Sequence, residues 1–214
     1  MTEFLVKSSV LDSVMTVTVN RPEKANSLTP DMLVLLRDQF RQVADENTVR
    51  AVIVTGAGNR VFCAGADLNT LHHTSDGTDP WFDMTEALRT ISVPTIAAIN
   101  GPCMGGGVSM ALACDMRLAV PEARFYYPVL ANNLMPGQYD IDSLLRLIGP
   151  GRTSMLLLTG AEVSSKEACD WGLVDRLVEV EELDAACQKL SRVPAEADGA
   201  HLQALKTMLR ESES

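Results

Sequence analysis

Two short segments of this chain place small residues at the ends of apolar runs, a pattern typical of sites where a ligand meets the main chain. The first is VFCAGAD, from Val61 to Asp67, and the second is NGPCMGGGVS, from Asn100 to Ser109. Glycine and alanine let a ligand atom come close to a backbone N–H group. Two such groups aimed at one carbonyl oxygen form an oxyanion hole, which stabilises the negative charge of an enolate. The two segments therefore predict a site that binds a carbonyl compound.

The triple glycine after Met104 is hard to explain by local helix formation. Each glycine costs about 1 kcal/mol relative to alanine in a helix, and the residues from Val108 to Ala113 are predicted to begin one. A chain tolerates this cost where its backbone approaches a ligand or another segment of backbone. The segment from Val61 to Asp67 has a simpler structural interpretation than ligand binding, since Asp67 can cap the first turn of a helix.

Strands and helices alternate along the chain, which predicts an α/β architecture with these two segments as loops. Strands are predicted at 15–19, 51–54, 95–99, 116–120 and 174–178. Helices are predicted from Pro30 onward and at 84–91, 108–113, 141–148, 153–158, 183–190 and 200–210, with a short one between Ser164 and Gly172. Residues 69–82 are polar and interrupted by glycine and proline, so a mobile loop is predicted there. The expected organisation is a core at 1–190 and a partly helical tail at 191–214.

Composition and charge exclude several classes of protein. The chain has 214 residues, 46% of them apolar, which suits one globular domain. A formal net charge of −10 argues against nucleic acid or an anionic membrane as a partner. No apolar run approaches the length of a membrane span, and the N-terminus lacks the pattern of a signal peptide. Five cysteines without a CxxC pair and three histidines predict reduced thiols, no metal site and a cytoplasmic location.

Across about residues 15 to 190 the chain resembles the crotonase superfamily, the enoyl-CoA hydratase/isomerase family. The matching segments are NRPEKANSLT at 20–29, VIVTGAGNRVFCAGADL at 52–68, PTIAAINGPCMGGG at 94–107, ACDMRLA at 113–119, MPG at 135–137 and LLLTGAEVSSKEACDWGLVD at 156–175. The resemblance implies a spiral of repeated ββα units, assembled as a trimer or hexamer. It also implies an acyl-CoA or related acyl thioester as ligand, with no cofactor beyond the coenzyme A moiety.

The resemblance further assigns roles to particular residues. It implies that the oxyanion donors are the N–H groups of Ala66 and Gly106. Ala64 is expected near the adenine of coenzyme A, with Arg21 and Lys24 near its phosphates. Other expected contacts with the ligand are Asp67, Leu68, Gly105, Ser109 and Val129.

The chain departs from the family pattern at the acid–base positions. Hydratases of this family use two glutamates to position and deprotonate water, and the matching positions hold Ser109 and Val129. Neither side chain is a general base near neutral pH. After the MPG segment the chain carries Tyr139 and Asp140, in a region from which functional Tyr or Asp side chains enter in some relatives. We predict that Tyr139 or Asp140 handles protons; the alternative is a capped helix start with solvated aspartates.

Other features leave the reaction open. Relatives usually continue as further helices beyond the position of Ser214, so the resemblance implies an acyl pocket that is more open or is completed by the oligomer. Tyr126 and Tyr127 are candidates for the pocket wall or for the core. Three functions fit the pattern: an enoyl-CoA hydratase/isomerase activity, decarboxylation of a malonyl-type thioester, or a non-catalytic homologue that binds an acyl thioester or a partner enzyme.

Overall fold

The computed structural model describes residues 5–45, 48–70 and 79–212, which contain nine strands and seven α-helices. The strands are β1 (Val6–Leu11), β2 (Val14–Val19), β3 (Ala51–Gly56), β4 (Thr95–Ile99), β5 (Cys103–Met104), β6 (Met116–Ala119), β7 (Arg124–Tyr126), β8 (Val163–Ser164) and β9 (Arg176–Leu177). The helices are α1 (Pro30–Asp45), α2 (Pro80–Arg89), α3 (Gly106–Leu112), α4 (Gln138–Thr159), α5 (Ser165–Trp171), α6 (Leu183–Glu196) and α7 (Gly199–Glu211).

The larger sheet has six strands in the order β1-β2-β3-β4-β6-β9, all parallel except β1, which is antiparallel to β2. Strands β3 and β4 are buried almost throughout, as their continuous apolar runs predict for the centre of a parallel sheet. The predicted strands at 15–19, 51–54 and 95–99 are thus confirmed. Strand β1 was not predicted, because five of its six side chains are exposed. The predicted strand at 174–178 pairs only over β9.

A second, smaller sheet contains β5, β7 and β8, and its pairing reveals a structural repeat. Strands β4 and β6 belong to the large sheet, whereas the strands that follow them, β5 and β7, pair with each other. Each pair then leads into a helix, α3 or α4. Cys63 also joins the small sheet through a bridge to Cys103. The predicted α/β architecture of repeated ββα units is confirmed.

The helix boundaries largely follow the predicted start and stop signals. Helix α1 begins at Pro30, and Ser164 forms the predicted capping box with Glu167 at the start of α5. The two helices predicted at 141–148 and 153–158 are continuous in α4 except for a kink at Gly149, whose φ of 76° is not helical. Helix α6 continues across residue 190 to Glu196. The division between core and tail stays a prediction.

The prediction of a loop over residues 69–82 is wrong at the C-terminal end of this range. Helix α2 begins at Pro80, so Trp81 and Phe82 are helical. The Asp79 side chain accepts hydrogen bonds from the N–H groups of these two residues, at 3.0 and 3.3 Å. Aspartate before proline is a known start signal, and here it outweighs the polar composition of the preceding residues. Residues 71–78 of the predicted loop lie outside the described residues.

Helix α7 is fixed to the connection between α2 and β4. The buried Lys206 ammonium donates to the Asp115 carboxylate at 2.6 Å and to the carbonyl of Val93 at 2.5 Å. Burial lowers the pKa of Lys206, whereas the nearby Asp115 carboxylate raises it. Arg210 donates to the carbonyl of Thr90 at 3.2 Å. The last helix therefore braces the C-terminal end of α2, the helix that carries Trp81.

Candidate active site

The predicted site segments leave one edge of the large sheet. Because β2, β3 and β4 are parallel, the segments at 20–28, 57–67 and 100–105 follow their carboxyl ends at the same edge. Ligands of parallel α/β sheets characteristically bind at this edge. The topology therefore brings together segments that are far apart in the sequence.

Two buried asparagines join these loops. The Asn26 amide donates to the carbonyl oxygens of Ala57 and Val61, at 3.1 and 2.8 Å. Its φ of 54° lies in the left-handed region, which asparagine tolerates better than most residues. The Asn100 amide donates to the carbonyl oxygens of Gly56 and Gly58, at 2.7 and 2.6 Å. These bonds hold the loop after β3 against the loops on either side of it.

The two glycine-containing segments contact each other directly at Gly65. This residue has a φ of 85°, and a Cβ atom placed on it would lie 2.8 Å from the nitrogen of Gly106 and 2.9 Å from the carbonyl oxygen of Met104. Such distances are shorter than van der Waals contact, so only glycine fits. The structure thus places the backbone of Gly65 next to the amide that the resemblance assigns as one oxyanion donor.

The N–H group of Ala66 points away from the backbone of the neighbouring loop. Leu28 and Ala66 form a parallel bridge in which Leu28 donates to Gly65 at 2.8 Å and accepts from Asp67 at 2.9 Å. In this pattern the N–H of the residue between the two partners points to the opposite side. Gly106 is the first residue of α3, so its N–H has no acceptor within the helix. Neither N–H has a hydrogen-bond acceptor among residues 5–45, 48–70 and 79–212.

Each of the three consecutive glycines is explained by a separate structural feature. Gly105 has a positive φ of 52°. A Cβ atom on Gly106 would lie 2.2 Å from Cη2 of Trp81, and one on Gly107 would lie 2.4 Å from the carbonyl oxygen of Cys63. The positive φ of Gly105 and the close approach of other protein groups to Gly106 and Gly107 are thus enough to explain three glycines. Gly105 and Gly106 nevertheless stay partly exposed, which leaves room for a ligand at this point.

Arg21 and Asp67, both predicted to contact coenzyme A, form an ion pair. The Arg21 guanidinium donates to the Asp67 carboxylate at 2.8 Å and to the carbonyl of Ser27 at 3.2 Å. The hydrogen bond from Arg21 lowers the pKa of Asp67. Asp67 also accepts from the N–H of Asn69 at 3.1 Å and so caps a turn over 68–70 rather than the first turn of a helix, the alternative considered for this segment. Arg21 therefore ties the first donor loop to the loop after β2.

Three further predicted contacts with the ligand are at the surface of the same loops. Ala64 is partly exposed and donates from its N–H to the carbonyl of Ala25 at 3.0 Å. Lys24 is exposed, and so is the side chain of Leu68. All three are accessible to a ligand that lies along these loops.

A buried cluster of three polar side chains lies one turn along α3 from Gly106. The hydroxyl of Ser109 donates to Oδ2 of Asp140 at 2.8 Å, and the hydroxyl of Tyr127 donates to the same oxygen at 2.6 Å. The two hydroxyl oxygens are 2.8 Å apart. All three residues are buried, with exposed fractions of 4 to 6%. Asp140 thus brings a carboxyl group to Ser109, a position at which the resemblance implies a glutamate in hydratases.

The environment of the cluster favours a carboxyl group that exchanges its proton. Burial raises the pKa of Asp140, while the hydrogen bonds from Tyr127 and Ser109 and the backbone of Gly137 lower it and partly offset this effect. Burial and the nearby Asp140 carboxylate raise the pKa of Tyr127 well above its usual value. Tyr127 therefore stays protonated and donates. A raised carboxyl pKa brings an acid closer to the pH at which it can act as a general base and acid.

Tyr139 and Val129 have different positions from Asp140. The Tyr139 hydroxyl donates to the carbonyl of Leu112, at 3.3 Å, at the opposite end of α3 from Gly106. Its ring is covered by the Arg89 guanidinium, 5.1 Å from the ring centre. Val129 is buried two residues after Tyr127. Of the two predicted proton-handling residues, the structure brings only Asp140 to Ser109.

Sequence reasoning missed Trp81 and left Tyr127 undecided between pocket and core. The Asp79-Pro80 pair was the signal that could have placed Trp81 on a helix. No local signal identifies Tyr127, because its partners are 13 and 18 residues away in the sequence.

Metal sites and membrane-spanning helices are both absent from the described part of the chain. No three His, Cys, Asp or Glu side chains within it are placed to hold a metal ion. No helix within it has the length and apolar character needed to span a bilayer.

The raised pKa of Asp140 predicts how stability depends on pH. A carboxyl whose pKa is higher in the folded than in the unfolded state stabilises the fold at low pH, and this contribution is lost as pH rises through the folded pKa. We therefore expect the free energy of unfolding of Asp140→Asn, relative to wild type, to increase from about pH 4 upward, by at most about 1.4 kcal/mol per pH unit. Urea unfolding at a series of pH values measures this difference. Asp142→Asn, an exposed substitution in the same helix, is the control; a difference for Asp140→Asn that is constant or falls with pH would contradict the prediction.

Comparison with known proteins gives a consistent result. The model of the enoyl-CoA hydratase/isomerase family matches residues 10–214. The probable enoyl-CoA hydratase EchA12 of Mycobacterium tuberculosis is 39% identical over 188 residues, which cover 82% of this chain and 66% of that protein. The crotonyl-CoA hydratase of Syntrophomonas wolfei is 34% identical over 178 residues, which cover 81% of this chain and 68% of that protein. The chain thus spans about two thirds of the length of these relatives.

Solved structures agree with the sequence relatives. An enoyl-CoA hydratase from Bacillus anthracis superposes with a TM-score of 0.89 and 31% identity, over 96% of this chain and 82% of that one. A monofunctional enoyl-CoA isomerase from M. smegmatis superposes with a TM-score of 0.85 and 32% identity, over 98% of this chain and 94% of that one. The chain therefore belongs to the enoyl-CoA hydratase/isomerase family of the crotonase superfamily.

Proposed function

We propose that this protein binds an enoyl thioester of coenzyme A and moves its double bond by shifting one proton along the acyl chain. The thioester oxygen accepts hydrogen bonds from the N–H groups of Ala66 and Gly106, and Asp140 carries the proton. The observation that carries this proposal is the position of Asp140. It is the one buried carboxyl group among the side chains that the structure describes, and it is hydrogen-bonded to Ser109, one helical turn after Gly106 in α3.

The two amides provide the electrostatic part of the mechanism. Removal of a proton next to a thioester carbonyl gives an enolate, whose charge collects on the oxygen. Hydrogen-bond donors fixed in place before the reaction stabilise such a charge without reorganisation. The contact of Gly65 with the nitrogen of Gly106 and the outward direction of the Ala66 N–H support this role.

The position of Asp140 suits it to reach the acyl chain. Ser109 is three residues after Gly106, or roughly 4.5 Å along the helix axis, and Asp140 Oδ2 is 2.8 Å from the Ser109 hydroxyl. Both hydroxyls of the cluster bind Oδ2, so the other carboxyl oxygen, Oδ1, is not engaged by either of them. The carboxylate takes a proton from C2 of a 3-enoyl thioester, which leaves a dienolate. The same carboxyl then returns the proton to C4, so that the product is the 2-enoyl thioester.

A single carboxyl group fits isomerisation better than hydration. Isomerisation needs one group that removes a proton and returns it, whereas hydration by the family's usual route needs two carboxylates around a water molecule. Within the described residues, the cluster contains one carboxyl and two hydroxyl groups. The likeness to a monofunctional enoyl-CoA isomerase over 98% of this chain also supports this choice.

Binding of the polyanionic coenzyme A has to overcome a chain with a net charge of −10. The charge of Arg21 is balanced by Asp67, so its main effect is to fix the first donor loop. Exposed Lys24 remains available to a phosphate group. We therefore expect affinity to depend on salt concentration only weakly, with the acyl group and the backbone amides contributing most of the binding.

An assay with matched substrates tests the proposal. The protein is incubated with a 3-enoyl-CoA, a 2-enoyl-CoA and malonyl-CoA, and the products are identified by mass spectrometry. We expect conversion of the 3-enoyl to the 2-enoyl thioester, which can be monitored by the ultraviolet absorbance of the conjugated product. Addition of water to the 2-enoyl thioester is expected to be much slower. In deuterated water, deuterium is expected in the isomerised product only to the extent that the carboxyl exchanges its proton with solvent during turnover.

The other outcomes of this assay contradict the proposal in different ways. Loss of CO2 from malonyl-CoA without isomerisation would assign the site to decarboxylation. Binding of all three thioesters without turnover would assign the protein a non-catalytic role. Hydration at a rate equal to or above isomerisation would mean that one carboxyl group is sufficient to activate water here.

A further inference from the structure

The indole of Trp81 lies directly over Gly106. A Cβ atom placed on Gly106 would lie 2.2 Å from Cη2, 2.4 Å from Cζ3 and 2.7 Å from Cζ2 of the indole. The six-membered edge of the ring therefore occupies the space that a side chain at position 106 would fill. This contact is with a residue of the proposed oxyanion hole, although neither the sequence motifs nor the proposed mechanism uses Trp81.

The contact places the indole beside the position of the acyl group. Since N and Cβ of one residue are about 2.5 Å apart, the ring edge lies within about 5 Å of the Gly106 amide. An oxygen bound to this amide would be about 2.9 Å from the nitrogen. The ring edge therefore lies at most about 8 Å from that oxygen, so the indole borders the space next to the thioester carbonyl. Ser109 lies one helical turn further along α3 and is hydrogen-bonded to Asp140 of α4.

The position of Trp81 is fixed by its helix. It is in the first turn of α2, where Asp79 accepts its N–H and Thr85 donates to its carbonyl at 2.9 Å. Three residues further, Met84 is fully buried and anchors the helix in the core. Trp81 itself is half-buried and packs against the core. A rigid, half-buried aromatic ring of this kind forms a wall rather than a movable cover.

Resting on the proposed function, we infer that Trp81 is a wall of the acyl subsite and sets the length of acyl chain that the protein accepts. A large rigid ring this close to the thioester leaves space for a short, unbranched acyl group and blocks the path of a longer one. The substrate class is therefore a short-chain enoyl-CoA. Its chain packs against the indole on one side, and the proton-transferring cluster lies on the other.

Calorimetric binding of a series of thioesters tests this inference. Wild type, Trp81→Ala and Phe82→Ala are titrated with acetyl-CoA, butyryl-CoA and octanoyl-CoA. In wild type we expect no gain in affinity from butyryl to octanoyl. In Trp81→Ala we expect the ratio of octanoyl to acetyl affinity to rise at least about 10-fold, since even one methylene in an apolar pocket changes selectivity by this factor. Phe82 is the neighbouring aromatic residue and is 61% exposed, so Phe82→Ala should keep the wild-type profile.

The outcomes separate this inference from the proposed function. Absence of binding of every thioester to wild type and to Trp81→Ala would contradict both. Binding with the same chain-length profile in the two proteins would overturn the role of Trp81 and leave the proposed function standing. Trp81→Phe, which retains an aromatic ring, should show an intermediate profile and guards against a result that comes from misfolding of the alanine variant.

Tryptophan fluorescence gives an independent test in which Trp81 itself is not replaced. The chain has two tryptophans, and the other one, Trp171, lies in α5 under the Arg152 guanidinium. In Trp171→Phe the emission comes from Trp81 alone. Butyryl-CoA is expected to change the intensity or wavelength of this emission, whereas free coenzyme A, which has no acyl group, is expected to change it much less. Equal responses to the two ligands would contradict the assignment.

Discussion

Replacement of Asp140 by asparagine is expected to lower the turnover of a 3-enoyl-CoA by about 10²- to 10⁴-fold, the usual contribution of a positioned general base. The amide has almost the shape of the carboxyl group and can accept the hydrogen bond from Tyr127, so the cluster stays packed. It cannot take a proton from the substrate. Steady-state kinetics should therefore show a fall in kcat with a KM close to that of wild type.

The same helix offers a matched control for this experiment. Asp142 is two residues further along α4 and exposed, and its carboxylate accepts a hydrogen bond from the Gln138 side chain at 2.9 Å. Asp142→Asn removes the same charge without touching the cluster and should keep wild-type kinetics. The assignment of the base would be wrong if Asp140→Asn kept wild-type turnover. It would also be wrong if Tyr139→Phe produced the loss in its place.

Replacement of Asp140 by asparagine is expected to lower turnover but to raise stability, and this combination distinguishes a functional role from a structural one. Burial of a carboxyl group costs stability once the group is ionised, so asparagine should be the more stable residue above the folded pKa. If Asp140 served only to fill space in the core, its replacement by asparagine would raise stability without lowering turnover. Loss of turnover together with a gain in stability is what we expect of a functional group placed in an unfavourable environment.

The sequence predicted the parts of the fold that local patterns determine. Continuous apolar runs identified β3 and β4, and proline, serine and glutamate signals identified the starts of α1 and α5. The two small-residue segments were predicted as loops. Local rules were sufficient because each of these features depends on residues within a few positions of one another.

The parts that were missed depend on contacts across the chain. Asp140 reaches Ser109, 31 residues away, and no periodicity or motif shows that the two meet. Exposed β1 lacks the apolar alternation of a strand, and its position comes from pairing with β2. At Trp81 the misleading signal was composition, since a polar segment was extended through the Asp79-Pro80 start of a helix. Tertiary contacts, not local preference, decide these positions.

Gly65→Ala is expected to separate the two donor loops. The methyl group would lie 2.8 Å from the nitrogen of Gly106 and 2.9 Å from the carbonyl of Met104, and both are backbone atoms that cannot rotate away. A non-glycine residue at a φ of 85° adds strain of about 1–2 kcal/mol. Together with the cost of overpacking, we expect a loss of about 3–5 kcal/mol in the free energy of unfolding. Since the Gly106 amide must shift, affinity for acetyl-CoA should fall at least about 100-fold.

Gly58→Ala separates the effect of strain from that of the clash. Gly58 has a nearly identical φ of 78°, but a Cβ atom there would have only Pro22 Cβ nearby, at 4.0 Å. This variant carries the same backbone strain without a collision, so it should lose about 1–2 kcal/mol and keep its affinity for acetyl-CoA. Urea unfolding and calorimetry on both variants measure the two quantities. Equal losses of stability and affinity would mean that the positive φ alone makes Gly65 necessary, and that the spacing of the two loops does not control binding.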